Sequence, residues 1–165
     1  MKKVFYLFLA LLLPGLIFVF LKYEGRNEFA IPVYYLEGIG QLSTGCAPSS
    51  DKPYVLPDSL WLLTGVKQSR ANVLIFEEPP GTVKEWRMAI DEEFGKEIVW
   101  LGDASLTIPD SAARDKWKKC IFSLNNPWHA VLFDDKGQIR GYYDPDSREE
   151  SDRLRVELKI LLMKY

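Results

Sequence analysis

The second half of the chain alternates between apolar blocks and polar connections in a way that predicts short strands. Asn72–Phe76 is a largely apolar, partly β-branched block, which favours a strand buried on both faces. Three further blocks have the same character: Ile98–Leu101, Ala130–Phe133 and Ile139–Tyr143. A tight turn at Asp134–Gly137 joins the last two as an antiparallel hairpin.

Between and after these strands, apolar residues recur at helical spacing. Capping boxes at Thr82–Glu85 and Ser147–Glu150 begin two helices, and Asp110 caps another between them. The apolar stripes of these helices are Val83, Trp86, Ile90 and Phe94; Ala113, Trp117, Cys120 and Ile121; and Leu154, Leu158, Leu161 and Tyr165. The resulting order is βαβ followed by ββα, which predicts an α/β fold of the thioredoxin-like class.

The N-terminus has a different pattern. Val4–Leu21 contains no charged residue and is flanked by Lys2, Lys3 and Lys22. Such a run is long enough for one transmembrane helix, and no small-residue cleavage site follows it. We therefore expect residues 1–22 to form an uncleaved signal anchor; a buried core helix is the alternative. Lys2 and Lys3 favour a cytoplasmic N-terminus, although Lys22 and Arg26 compete. That orientation places the rest of the chain in the periplasm, on the inner membrane.

Composition separates the remainder into a predicted linker, residues 23–53, rich in glycine and proline, and a predicted thioredoxin-like domain, residues 54–165. The whole chain has 165 residues, 47% of them hydrophobic, which suffices for one core. Without Lys2, Lys3 and Lys22, the 21 basic residues become 18 against 23 acidic ones, a net charge of −5. This balance argues against nucleic acid as a partner.

Candidate chemistry rests on few residues, because the chain has one histidine and two cysteines. Cys120 allows three interpretations: a buried thiol, a disulfide with Cys46, or a redox or metal site that uses both cysteines. A copper or zinc site of Cys120 and His129 would have only two protein ligands of the right type, too few for a closed zinc site. His129 is therefore interpreted as a partly buried histidine bonded to the backbone. The acidic pair Glu77–Glu78 follows the first strand and is interpreted as a solvated loop.

Several stretches resemble the Sco/SenC family. The most specific is VLFDDKGQIRGYYD at Val131–Asp144, followed by Asp152-Arg153-Leu154. The IPVYY stretch at Ile31–Tyr35 behind a lysine-flanked anchor, and YVLPD at Tyr54–Asp58, are also similar to the family. The chain is thus identified as a divergent, Bacteroidetes-type member. The resemblance implies a membrane-anchored thioredoxin-like protein that serves cytochrome c oxidase through copper delivery or cysteine reduction, with oxidase subunits or assembly factors as partners.

The family's C-P-x-x-C-P motif is missing, because the loop after the first strand reads EEPPGT at Glu77–Thr82. The family's histidine position falls near Asn126, three residues before His129. We therefore expect no resident cofactor and a non-enzymatic accessory role in oxidase copper-centre assembly. The alternative is a copper metallochaperone or a thiol–disulfide oxidoreductase with a rearranged Cys46, Cys120 and His129 site.

Overall fold

The computed structural model describes residues 2–24, 29–39, 46, 49, 51–64, 69–76, 82–102, 110–125 and 127–163. Within the helices, the side chains at positions 2, 4, 5, 7–9, 11, 21, 23, 24, 63, 64, 82 and 83 lie outside this description. The chain divides into two compact units, Met1–Ala30 and Ile31–Tyr165.

The first unit holds helix α1 (Lys2–Glu24), which contains Pro14. Over the residues that the structure describes, no helix is both long enough and apolar enough to cross a membrane. The membrane-spanning segment therefore stays a prediction, and what α1 establishes is that this stretch of backbone is helical.

The second unit is built on a four-stranded mixed sheet with the strand order β2-β1-β3-β4. Its strands are β1 (Ala71–Ile75), β2 (Ile98–Gly102), β3 (Ala130–Asp134) and β4 (Ile139–Tyr143). β1 pairs with β2 in parallel and with β3 antiparallel, and β3 pairs antiparallel with β4. All four predicted strands are present within one residue of their expected bounds, which confirms the α/β class.

Successive strand residues point to opposite sides of the sheet, so each strand contributes side chains to two cores. Helices cover both of these cores. Val73 and Leu132 face a core shared with α3 (Thr82–Phe94) and α5 (Arg148–Leu161). The other core packs against α2 (Ser59–Thr64) and α4 (Ser111–Lys116), and Leu74 belongs to it. Each fully buried Leu, Ile or Phe contributes roughly 1.5–3 kcal/mol through removal from water. The sequence pattern did not predict α2.

The packed unit begins at Ile31, whereas the sequence pattern predicts a linker as far as residue 53. Ile31 and Ile39 are 6% and 4% exposed, so both belong to the domain core. The Tyr34 amide donates to the carbonyl of Ile139 at 2.9 Å, which places this segment against β4. The apolar IPVYY stretch, Ile31–Tyr35, therefore covers the edge strand β4. The domain extends further toward the N-terminus than the periodicity of the sequence predicts.

The turn between β3 and β4 is held by one carboxylate. Oδ1 of Asp134 accepts from the amides of Lys136 and Gln138, each at 2.9 Å. Its other oxygen pairs with Arg140 at 2.7 Å, and the two side chains are 3% and 18% exposed. Gly137 has a φ of +74°, which favours glycine. The predicted tight turn is thus present, reinforced by an ion pair that the pattern did not reveal.

Candidate functional site

The two cysteines lie together. Cys46 and Cys120 form a disulfide with a Cα–Cα distance of 5.3 Å, across a sequence separation of 74 residues. That distance lies within the ordinary range for a disulfide. The bond joins the segment before α2 to the end of the α4 region, and the structure therefore contains the pairing that the sequence left as one of three interpretations.

Cys120 is positioned by a helix that changes its winding. The Asp110 carboxylate caps α4 by accepting from the Ala112 amide at 3.2 Å, as predicted. From Trp117 to Ile121 the helix continues as a π turn, in which the Phe122 amide donates to the carbonyl of Trp117 at 3.1 Å. A π turn carries an extra residue per turn and shifts the faces of the helix. Cys120 is consequently half-buried beside the core, not buried within it.

Two tyrosines hold the backbone just after Cys120. The hydroxyl of Tyr54 donates to the carbonyl of Ile121 at 2.8 Å, and that of Tyr142 to the carbonyl of Phe122 at 2.7 Å. Burial, followed by the charge of Asp51, raises the pKa of Tyr54 to about 12. Burial also raises the pKa of Tyr142. Both tyrosines therefore remain neutral donors at physiological pH, and they fix the carbonyls that the π turn leaves without helical partners.

A cavity of about 300 Å³ adjoins the disulfide. Its lining residues include Cys120, Ile121, Tyr54 and Asp51. The Ser49 hydroxyl lies 3.3 Å from a carboxylate oxygen of Asp51. A carboxylate here opposes the approach of a second anion, such as an attacking thiolate. The cavity therefore places one carboxylate close to the Cys120 side of the disulfide.

His129 lies just before β3, where its backbone is hydrogen-bonded on both sides. Its amide donates to the carbonyl of Tyr143 at 3.1 Å, and its carbonyl accepts from the Phe76 amide at 2.8 Å. Among the described residues there is no group of three or more His, Cys, Asp or Glu side chains that could hold a metal ion. The predicted alternative site of Cys46, Cys120 and His129 is therefore not assembled: the structure joins the cysteines and leaves the histidine at the start of β3. Glu77–Glu78 lie outside the described residues.

Arg153 is the centre of a cluster of contacts that the sequence did not predict. Its only sequence signal is that Asp152-Arg153-Leu154 belongs to the stretch resembling the Sco/SenC family. The guanidinium lies 4.7 Å from the ring centre of Tyr143 and 5.8 Å from that of Trp128. It also pairs with Glu150 at 2.7 Å. Burial raises the pKa of Glu150, an effect that the arginine opposes. These contacts fasten α5 to the end of β4, beside His129, so their role is to hold the sheet edge.

No family model, no curated protein and no solved structure matches this chain.

Proposed function

We propose that this chain is a membrane-anchored, thioredoxin-like protein of the Sco/SenC type that acts outside the cytoplasm. Its role would be that of a non-catalytic accessory or interaction protein in assembly of the copper centre of respiratory cytochrome c oxidase. The observation that carries the non-catalytic role is the Cys46–Cys120 disulfide. The chain has two cysteines, and Cu(I) binding of the family type and thiol exchange both require thiolates. In the disulfide, neither cysteine is available as a thiolate.

The order of elements supports the thioredoxin-like part of the proposal. The second unit has a βαβ unit, β1-α3-β2, followed by β3-β4-α5, with helices on both faces of the sheet. Parallel pairing of β1 with β2 and antiparallel pairing of β3 with both neighbours is what this arrangement requires. Function does not follow from such a fold, so the oxidase role rests on the family resemblance, which is most specific in Val131–Asp144.

The anchor and the compartment have separate support. Val4–Leu21 is uncharged, lies between lysines, and falls inside helix α1. Disulfides persist in oxidising compartments, which agrees with a domain on the outer side of the inner membrane. In this compartment the domain would be able to contact the copper centre of the oxidase, its proposed partner.

A second function is favoured by the closeness of the cysteines. With their Cα atoms 5.3 Å apart, reduction would leave two thiols able to hold one Cu(I) between them. The protein would then be a copper carrier or an oxidoreductase that is active only when reduced. Copper titration of the chain before and after reduction distinguishes the two functions.

The purified full chain, prepared without reductant, should compete for Cu(I) with a chromophoric chelator no better than at micromolar affinity. A tight one-to-one complex that is lost in Cys46→Ser or Cys120→Ser would favour the copper carrier instead. The two serine variants serve as matched controls, because each removes one sulfur from the same bond.

The oxidase role needs a test in the cell. Deleting the gene in its own host should reduce the copper-centre absorbance of the oxidase, and a Cys46→Ser/Cys120→Ser chain that accumulates to the native level should restore it. An unchanged absorbance after deletion would remove the oxidase role. Restoration by the native chain but not by an equally abundant variant would show that sulfur chemistry is needed.

A further inference from the structure

The helix that carries Cys120 also carries a cluster of positive charge. Between Arg114 and Lys119 there are four basic residues and one acidic residue, Asp115. Lys116 and Lys119 are exposed. Within the described part of the chain, neither lysine takes part in an ion pair. This basic face, defined as residues 114–119, belongs to a chain that is otherwise acidic after the apolar run.

The helix fixes the outward position of the two exposed lysines, Lys116 and Lys119. Ala113, Trp117 and Ile121 pack against the core on the other side of the helix. The disulfide at Cys120 and the hydrogen bond from Tyr54 to Ile121 prevent the helix from rolling. The lysines therefore cannot exchange positions with the apolar stripe, and the domain presents a fixed patch of positive charge.

The residue that ends the basic helix, Phe122, is linked through Tyr142 to the segment with which the domain begins. The hydroxyl of Tyr142 donates to the carbonyl of Phe122, at the end of the basic helix, and lies 3.4 Å from the hydroxyl of Tyr35. Ile31 is already fixed, because its carbonyl accepts from Arg140 at 3.0 Å.

We infer that the basic face, residues 114–119, binds the anionic headgroups of the lipid bilayer in which the chain is anchored. This inference rests on the anchor of the proposed function. Each lysine or arginine near an anionic surface strengthens association roughly fivefold, whereas the remaining acidic surface of the domain is repelled. Because the anchor would hold the domain at the same bilayer, the effective lipid concentration is high and a few lysines suffice to orient the domain.

The test uses the full chain in nanodiscs of phosphatidylcholine, with or without phosphatidylglycerol in place of part of it. Lysine acetylation by a water-soluble reagent is followed by mass spectrometry. Lys116 and Lys119 should react several-fold more slowly in the anionic discs, and concentrated salt should remove the difference. Lys96, which is exposed on the turn after α3, is the internal control and should react equally in both discs.

A matched pair of variants tests whether charge is the cause. The double variant Lys116→Gln/Lys119→Gln should abolish the lipid-dependent protection of Lys118. The control variant Lys96→Gln/Lys136→Gln removes the same amount of charge elsewhere and should preserve that protection. Equal acetylation of Lys116 and Lys119 in both discs would overturn the inference and leave the anchor intact. Protection in both kinds of disc, insensitive to salt, would indicate a protein contact and would also overturn it. A chain that does not enter the discs would overturn the anchor together with this inference.

Discussion

Breaking the Cys46–Cys120 disulfide should lower the stability of the domain and leave its fold intact. The bond closes a loop across a sequence separation of 74 residues. For a loop of that length, the loss of unfolded-chain entropy corresponds to about 4 kcal/mol of stability. With roughly 2.1 cal/mol/K of unfolding entropy per residue, this loss lowers the Tm of a domain of this size by about 15 °C.

The fold should survive because the tied segment has its own contacts with the core. Ile39, Tyr54 and Leu56 are all at most 5% exposed and belong to the buried core. The Leu56 amide also donates to the carbonyl of Gly137 at 2.9 Å. The disulfide acts on the unfolded chain, whereas these contacts act on the folded one.

The assay is thermal unfolding of the full chain, followed by near-ultraviolet circular dichroism. The native protein without reductant is compared with Cys46→Ser/Cys120→Ser, and the native protein with reductant should match the variant. Reductant should not change the Tm of the variant, which controls for effects of the reagent. A Tm difference below about 3 °C would refute the loop-entropy reasoning. Loss of a cooperative transition would refute the claim that the core is independent of the bond.

Three further changes test contacts around the same region. Tyr142→Phe should destabilise the domain by about 1–3 kcal/mol in urea unfolding, because the carbonyl of Phe122 loses its donor in a buried place. Arg140→Leu should cost about 3–5 kcal/mol in the same measurement, because it leaves the carboxylate of Asp134 buried without its partner. The pKa of Tyr54 is raised from 10.0 to about 12, so the folded state keeps a proton that the unfolded state releases. The contribution of Tyr54 should be intact below pH 10 and lost between about pH 10 and 12, and ultraviolet titration of native protein against Tyr54→Phe checks this.

The strands were predictable because their signal is local. Asn72–Phe76 and Ile139–Tyr143 are short apolar blocks between turns, and each lies on a buried strand. The hairpin turn was predictable for the same reason, since Gly137 is needed for a positive φ. The use of both sheet faces follows from the alternation of these blocks with helices, whereas the strand order β2-β1-β3-β4 was not predicted.

The segment before Tyr54 was not predictable from periodicity. Ile31 and Ile39 are buried by contacts with strands that are distant in sequence, so no local pattern marks them as core. The π turn at Trp117–Ile121 is likewise set by tertiary contacts with Tyr54 and Tyr142. An ideal helical stripe placed Cys120 among the apolar residues, and the altered winding brings it to the disulfide instead.

The site was predictable only as a set of alternatives. Two cysteines in an oxidising compartment favour a bridge, but sequence does not give the distance between them. His129 could not be assigned to a site or excluded from one, because its neighbours are fixed by the register of β3 with β4. The cavity beside Cys120 depends on Asp51 and Tyr54, which only the fold brings there.

The most direct test of the account is the oxidation state of the cysteines in the cell. Freshly isolated membranes are quenched in acid, treated with an alkylating reagent, and the full chain is analysed by non-reducing peptide mapping. The account predicts a linked Cys46–Cys120 peptide and no alkylated cysteine. Two alkylated thiols would contradict it, because the chain would then carry in vivo the two thiolates that a copper carrier or an oxidoreductase requires.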